Sequence, residues 1–269
     1  MTTIVLDSWT ITRRDLLHWR QQPAPVLIGL LFPVMIVLIF GYLFGGALAV
    51  PDGAALSVPG GGGYREFLMP GMFAMTMLFG LETTFAAVAT DAARGITDRF
   101  RSLPIAASAV LLGRALADLL TSVAGLVVLI GCGLAVGWSW HRGTGSALLA
   151  VALLLGLRFS LLWVGIYLGL VTRSPESVAV LQILVWPVGF LSNAFVAPQT
   201  MPAWLGVLAE GNPLSATVSA SRQLFGNPGW AGDWWLAEHA IPLAVAWPVL
   251  ITAVFLPLSV RAYRRLGNG

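Results

Sequence analysis

No charged residue interrupts Val26 to Val50, Ser177 to Ala197 or Ala240 to Val260. A run of about 20 apolar residues can cross the roughly 30 Å hydrocarbon core of a bilayer as one helix. Backbone polar groups find no water in that core, so only helices or a closed barrel span it. Continuous apolar character, without strict alternation, selects helices. Three further stretches qualify although they contain charge: Phe67 to Thr90 with Glu82, Leu103 to Trp140 with Arg114 and Asp118, and Gly145 to Val171 with Arg158. The chain therefore reads as an all-α membrane protein, one domain over 1–269 with six transmembrane helices. Residues 1–24 form an interfacial helix, 25–262 the six-span core and 263–269 a tail. Composition agrees, since 10% of residues are charged against about 25% in a soluble domain.

The arginines orient these spans. With both termini cytoplasmic, the inner segments hold Arg13, Arg14, Arg20, Arg94, Arg99, Arg101, Arg173, Arg261, Arg264 and Arg265, and the outer segments only Arg65, Arg142 and Arg222. That asymmetry follows the positive-inside rule. Trp138, Trp140, Trp204, Trp230, Trp234 and Trp235 fall in or beside outer segments, as an interfacial aromatic belt would. The net charge of +3 thus reports topology and not nucleic-acid binding. The chain has no lysine, which excludes a Walker A loop and Schiff-base chemistry. Its single cysteine, Cys132, excludes a disulfide framework or a cysteine-based metal site. His18, His141 and His239 are scattered, so no catalytic or metal constellation emerges. Two patterns carry no further meaning. Arg13-Arg14 followed by Ala47-Leu48-Ala49 imitates an export signal, but the apolar run exceeds a signal core of about 7–15 residues. Gly60 to Gly63 reads as a flexible loop.

Val5, Trp9, Leu16 and Trp19 share one helical face flanked by Arg13 and Arg20, the pattern of a helix lying on the inner leaflet; a solvated segment is the alternative. Between spans two and three, Arg94 and Asp98 stand four apart and Asp98 and Arg101 three apart, spacings that give helical ion pairs of about 0.2–0.5 kcal/mol. Ile96 and Phe100 sit among these charges, and Pro104 breaks the run. Either this is an ordinary positively charged loop or a short rigid helix that docks on a cytoplasmic partner. Within the spans, a central Arg or Asp costs about 2.5–3.5 kcal/mol, so each needs a partner or a wet cavity. Arg114 and Asp118, four apart, are expected to pair with each other. Glu82 and Arg158 either pair across helices or line a cavity that admits a polar headgroup. Gly41/Gly45, Gly133/Gly137 and Gly165/Gly169 have the spacing of close helix approach, but no interface is assigned to them. Pro33, Pro187, Pro242, Pro248 and Pro257 are expected to kink spans.

Gly95-Ile-Thr-Asp-Arg-Phe-Arg-Ser-Leu-Pro104, followed by Gly113-Arg114-Ala-Leu-Ala-Asp118, resembles the ABC-2 type permeases, particularly the daunorubicin-resistance-type exporters. Tyr64 to Gly71, Leu191 to Val196, Met201 to Leu205 and Asn212 to Leu214 with Arg222 resemble that family too, in register along the chain. The resemblance implies the transmembrane half of an exporter driven by a separate ABC ATPase, in two copies that bind ATP and magnesium, with a second permease copy or a paralogue beside this one. It implies a coupling helix at the loop containing Arg94, Gly95, Asp98, Arg99, Phe100, Arg101 and Pro104. It also implies an outer re-entrant hairpin containing Asn193, Pro202, Asn212, Pro213 and Arg222, placed before the last span. The implied cargo is amphipathic: drugs, antibiotics or lipid-type molecules leaving a bacterial cell across its plasma membrane by alternating access. No catalytic residue, metal or directly bound cofactor is expected. Two alternatives remain at this stage: a secondary transporter coupled to protons through Glu82, and a membrane-embedded lipid-modifying enzyme. The chain shows neither the internal repeat common in the first nor the titratable constellation the second requires.

Overall fold

The computed structural model describes residues 12, 24–39, 64–95, 107–172, 177–195, 198, 201–229 and 238–265. Eight helices follow in order among them: α1 (Ala24–Ile39), α2 (Tyr64–Ala93), α3 (Ala107–Ala135), α4 (Thr144–Thr172), α5 (Ser177–Phe190), α6 (Ala203–Gly211), α7 (Pro213–Phe225) and α8 (Ala240–Arg265). α2, α3, α4 and α8 are long and apolar enough to cross a membrane. α1 and α5 have 16 and 14 described residues, about 24 and 21 Å of helix at 1.5 Å per residue. The rest of the first apolar run, residues 40–50, lies outside the described residues, as do the proposed interfacial helix apart from Thr12 and Ala24, and the tetraglycine.

The fifth apolar stretch is not one helix from Ser177 to Ala197. α5 stops at Phe190, and tight bonds from Leu191 N–H to the Pro187 carbonyl and from Ser192 N–H to the Gly189 carbonyl turn the chain. Hydropathy runs on through this turn because its backbone groups are satisfied inside the protein, a partnership that composition does not encode. Helix structure continues through Pro33, Pro187, Pro248 and Pro257. Pro242 falls in the first turn of α8, where a missing N–H breaks no intrahelical bond.

α4 is the central helix, packed along α2 and α8 and also against α3 and α7. Glycine decides how close α2 and α4 come. A Cβ at Gly165 would lie 2.9 Å from the Leu81 carbonyl oxygen, and one at Gly169 would lie 2.7 Å from Val88 Cβ. The Gly165/Gly169 spacing therefore serves contact within the chain. Apolar packing forms two bodies. One gathers Phe73, Trp138, Phe225 and the methionines of α2. The other, toward the Arg94 end, gathers Val88, Val110, Leu162, Trp163, Leu170 and Tyr263.

At the opposite end, α3 and α7 stop in the same way. Trp138 N–H bonds to the Gly133 carbonyl and Gly137 N–H to that of Leu134, while Asn227 and Gly226 do the same toward Arg222 and Gln223. Both are Schellman ends, whose left-handed residue is glycine for steric reasons, with φ of 93° at Gly137 and 73° at Gly226. The two ends are joined: Trp138 Nε1 donates to Asn227 Oδ1 at 2.9 Å and Asn227 Nδ2 donates to the Ser139 carbonyl at 2.9 Å. Trp138 is thus buried, 1% exposed, and does not join the aromatic belt the sequence suggested. Trp204 is 67% exposed, while Trp230, Trp234 and Trp235 lie outside the described residues.

Candidate functional site

Arg114, Asp118 and Ser122 recur every fourth residue along α3, so they form a polar stripe on one helical face. The stripe meets α2 and α4. Arg114 forms an ion pair with Asp91 of α2. Asp118 Oδ2 receives a hydrogen bond from the Thr84 hydroxyl of α2 at 2.8 Å. Ser122 Oγ receives one from Arg158 Nε of α4 at 2.8 Å. Arg158 Nη2 donates to the same Thr84 oxygen, also at 2.8 Å. Arg158 is 2% exposed, and Gly80 makes room for it, since a Cβ there would sit 2.6 Å from Arg158 Nε. Asp118 is the acidic group whose charge acts on this guanidinium. Nη1 has no hydrogen-bond partner among the described residues.

Two expectations are corrected here. Arg114 and Asp118 do not pair with each other. An intrahelical pair is worth only a few tenths of a kcal/mol, and α2 supplies Asp91 and Thr84 as better-placed partners across the interface. Glu82 does not pair with Arg158 either. Residues 82 and 84 point about 200° apart around α2, so Thr84 faces Arg158 while Glu82 faces α5, with Gln182 the polar side chain nearest its carboxyl. Glu82 Oε1 is buried with no further partner among the described residues. Beside this pair runs a ladder of rings. Phe79 and Trp186 are 5.0 Å apart between centroids, Trp186 and Phe190 5.6 Å, and Phe190 and Phe195 5.4 Å.

The residues that sequence reasoning missed are the uncharged ones, Thr84, Ser122 and Gln182, together with Asp91. The four-residue repeat of Arg114, Asp118 and Ser122 was the signal available for the α3 stripe. Thr84 gave none, because a lone hydroxyl in an apolar span is cheap by hydropathy, and Gln182 was passed over because a search for charge does not register an amide.

Of the residues expected in a coupling loop, Arg94 and Gly95 are described. α2 ends there, with Arg94 exposed and Gly95 left-handed at φ 67°. Asp98, Arg99, Phe100, Arg101 and Pro104 lie outside the described residues. The Asp91–Arg114 pair ties together the helices that flank this loop. Thr12 adds a third element, donating its hydroxyl to the Gly113 carbonyl at 2.9 Å from a fully buried position.

The residues expected in an outer hairpin lie on α6, α7 and the turn after α5. Pro202 stands at the N-cap of α6, Asn212 joins α6 to α7, and its side chain caps Leu214 N–H while Pro213 opens α7. Asn212 Nδ2 also donates to the Val188 carbonyl at 2.7 Å, binding the α6–α7 junction to α5. Arg222 is 1% exposed and is no loop charge. It donates to the carbonyls of Phe67, Asn193 and Ala194 at 3.1, 2.9 and 2.9 Å, with its guanidinium 3.8 Å from the Phe67 ring centroid. Gly71 permits the approach, because a Cβ there would lie 2.7 Å from the Ala194 oxygen. Asn193 Nδ2 donates to Ser219 Oγ at 2.6 Å. In α6, burial pushes the Glu210 carboxyl above its ordinary pKa.

Residues 7–225 match the ABC-2 type transporter family. The daunorubicin resistance ABC transporter permease protein DrrB1 of Streptomyces coeruleorubidus is 33% identical over 263 residues, covering 97% of this chain and 87% of that protein. The doxorubicin resistance ABC transporter permease protein DrrB of Mycobacterium tuberculosis is 28% identical over 178 residues, 62% of this chain and 57% of its own. A putative transport permease, ycf38 of Pyropia yezoensis, is 26% identical over 227 residues, with coverages of 82% and 74%.

Proposed function

The chain belongs to the ABC-2 type transporter family, and from that premise we propose that it is the permease subunit of an ATP-driven exporter for amphipathic drugs, antibiotics or lipid-type molecules. It is not itself an ATPase in this reading. A separate ABC ATPase, two copies per transporter, binds ATP and magnesium, and a second permease copy or paralogue completes the pathway. The observation that carries the proposal is the family relationship along most of a chain that has no lysine for a phosphate loop.

Six spans with both termini cytoplasmic agree with the arginine distribution. The short helices α6 and α7 form the outer hairpin in this scheme, and the loop from Arg94 to Pro104 is the coupling helix. ATP binds the closed ATPase dimer more tightly than the open one, and that differential affinity is what drives the permease between inward- and outward-open states. Polar groups at membrane depth face protein or a wet cavity, so the Glu82–Gln182 pair and its neighbouring rings are assigned to the face that meets the pathway. Glu82 supplies a hydrogen-bonding polar group there, and the rings supply apolar area for an amphipathic cargo.

The test is reconstitution of the permease with its cognate ATPase in proteoliposomes. Co-elution of the two chains, and transport that requires ATP but survives collapse of the proton gradient, is the expected result. Transport driven by a proton gradient without ATP would replace this reading with a secondary transporter.

A further inference from the structure

The α3 stripe adds side-chain hydrogen bonds and one ion pair to the apolar packing of that helix, whereas close backbone contact at glycines sets the distance between α2 and α4, with the Arg158–Thr84 bond crossing that seam. Interhelical hydrogen bonds in membranes average only about 0.6 kcal/mol, so the stripe can exchange partners without a large barrier. The Thr84 hydroxyl is its pivot. It has one proton and two acceptors in reach, Asp118 Oδ2 at 2.8 Å and the Gly80 carbonyl at 3.1 Å. Its oxygen also accepts from Arg158 Nη2. Asp118 and Arg158 are therefore opposite charges separated by a single hydroxyl, and Arg158 Nη1 has no acceptor among the described residues.

We infer that Thr84 is a positioning residue that bridges Asp118 to Arg158 in one state of the transport cycle and is bypassed in another. A small slide of α3 along α2 brings the Asp118 carboxylate directly onto Arg158, where Nη1 gains its acceptor. The Thr84 proton then turns to the Gly80 carbonyl, so the hydroxyl keeps an acceptor. The slide originates at the loop that α2 and α3 flank, and it carries Arg114 past Asp91, so that ion pair re-forms as α3 moves. Movement of that loop thus reaches the charge pair in the core through one helix, α3. This inference rests on the exporter reading, because it needs a partner that moves the loop.

The experiment uses the full permease–ATPase complex in proteoliposomes, comparing wild type with Thr84→Val, Thr84→Ser, Asp118→Asn and the Thr84→Val/Asp118→Asn double variant. Thr84→Val should lower ATP-dependent transport about tenfold, within the range of mutational effects on coupling, while Thr84→Ser stays near wild type. Asp118→Asn should match Thr84→Val, and the double variant should be no worse than either, as for residues acting as one unit. The thermal midpoint of the complex supplies a second readout. Without nucleotide the two single variants should lower it non-additively; with ATP and vanadate trapping the closed ATPase, Thr84→Val should no longer lower it. Equal coupling in both states would make Thr84 merely structural and overturn the inference, as would wild-type transport by Thr84→Val or losses that multiply in the double variant. If valine prevents assembly, Thr84→Ala is read by the same criteria. A wild-type complex that does not assemble or transport with ATP refutes the exporter reading itself, whereas normal wild-type transport with an undisturbed Thr84→Val refutes only the exchange.

Discussion

Replacing Gly165 by alanine places a methyl carbon 2.9 Å from the Leu81 carbonyl oxygen, 3.1 Å from Thr84 Cβ and 3.3 Å from Phe85 N. Two of these three atoms belong to the α2 backbone, which cannot swing aside as a side chain would. Ordinary contact begins near 3.4 Å, so α2 and α4 must part by about 0.5 Å at this point. A gap of that size already forfeits about a quarter of the dispersion energy of the contacts it opens. Overpacking of this sort costs about 1–3 kcal/mol. Against it stands the backbone preference of alanine over glycine in a helix, about 0.5–1 kcal/mol. Gly156 of the same helix provides the control, because a Cβ there meets nothing within 4 Å. Gly156→Ala carries the backbone gain alone, so the difference between the two alanine variants isolates the steric cost of about 1–3 kcal/mol. Thermal unfolding of the two purified permeases in one detergent measures it. At about 2–4 °C per kcal/mol for a chain of this size, Gly165→Ala should melt several degrees below Gly156→Ala. A Gly165→Ala permease that melts with or above Gly156→Ala would refute the claim that glycine sets the α2–α4 distance.

Arg222→Lys keeps the charge, but an ammonium cannot reproduce the fork that serves three carbonyls; the loss should be about 2–4 kcal/mol, seen as faster proteolysis between residues 195 and 203. Because burial raises the Glu210 carboxyl, the folded α6–α7 segment binds a proton more tightly than the unfolded chain does. Its contribution to stability is fully present below the ordinary carboxylate pKa and falls as pH rises through the raised value. Protease protection of the α6–α7 segment should therefore decline across that window, and Glu210→Gln should flatten the decline; an unchanged profile counts against the burial argument. Glu82→Gln should reduce transport while assembly with the ATPase and stimulation of its hydrolysis persist, and unchanged transport removes Glu82 from the pathway. Arg99→Glu should weaken co-elution with the ATPase or uncouple its hydrolysis, and normal stimulation would remove the loop from the docking role.

Hydropathy was enough to find the long helices, because burying an apolar helix in lipid depends on local composition and length. α2, α3, α4 and α8 lie where the apolar runs predict them, and Asn212-Pro213 marks the start of α7 by capping chemistry that is also local. The end of α5 was not legible, since its turn is satisfied by Ser215 and Arg222 from another part of the chain. The membrane charges divide in the same way. That Glu82, Arg114, Asp118 and Arg158 would need partners followed from the cost of charge in hydrocarbon, and the sequence alone supplied it. Which partners they take depended on how α2, α3 and α4 are rotated and how far apart glycine holds them, and those relations exist only in the packed structure. Spacing along α3 favoured Arg114 with Asp118; packing gave Arg114 to Asp91 and left Asp118 and Arg158 sharing a threonine, because α2 presents Asp91 to Arg114 and Thr84 to Asp118 across the helix interface.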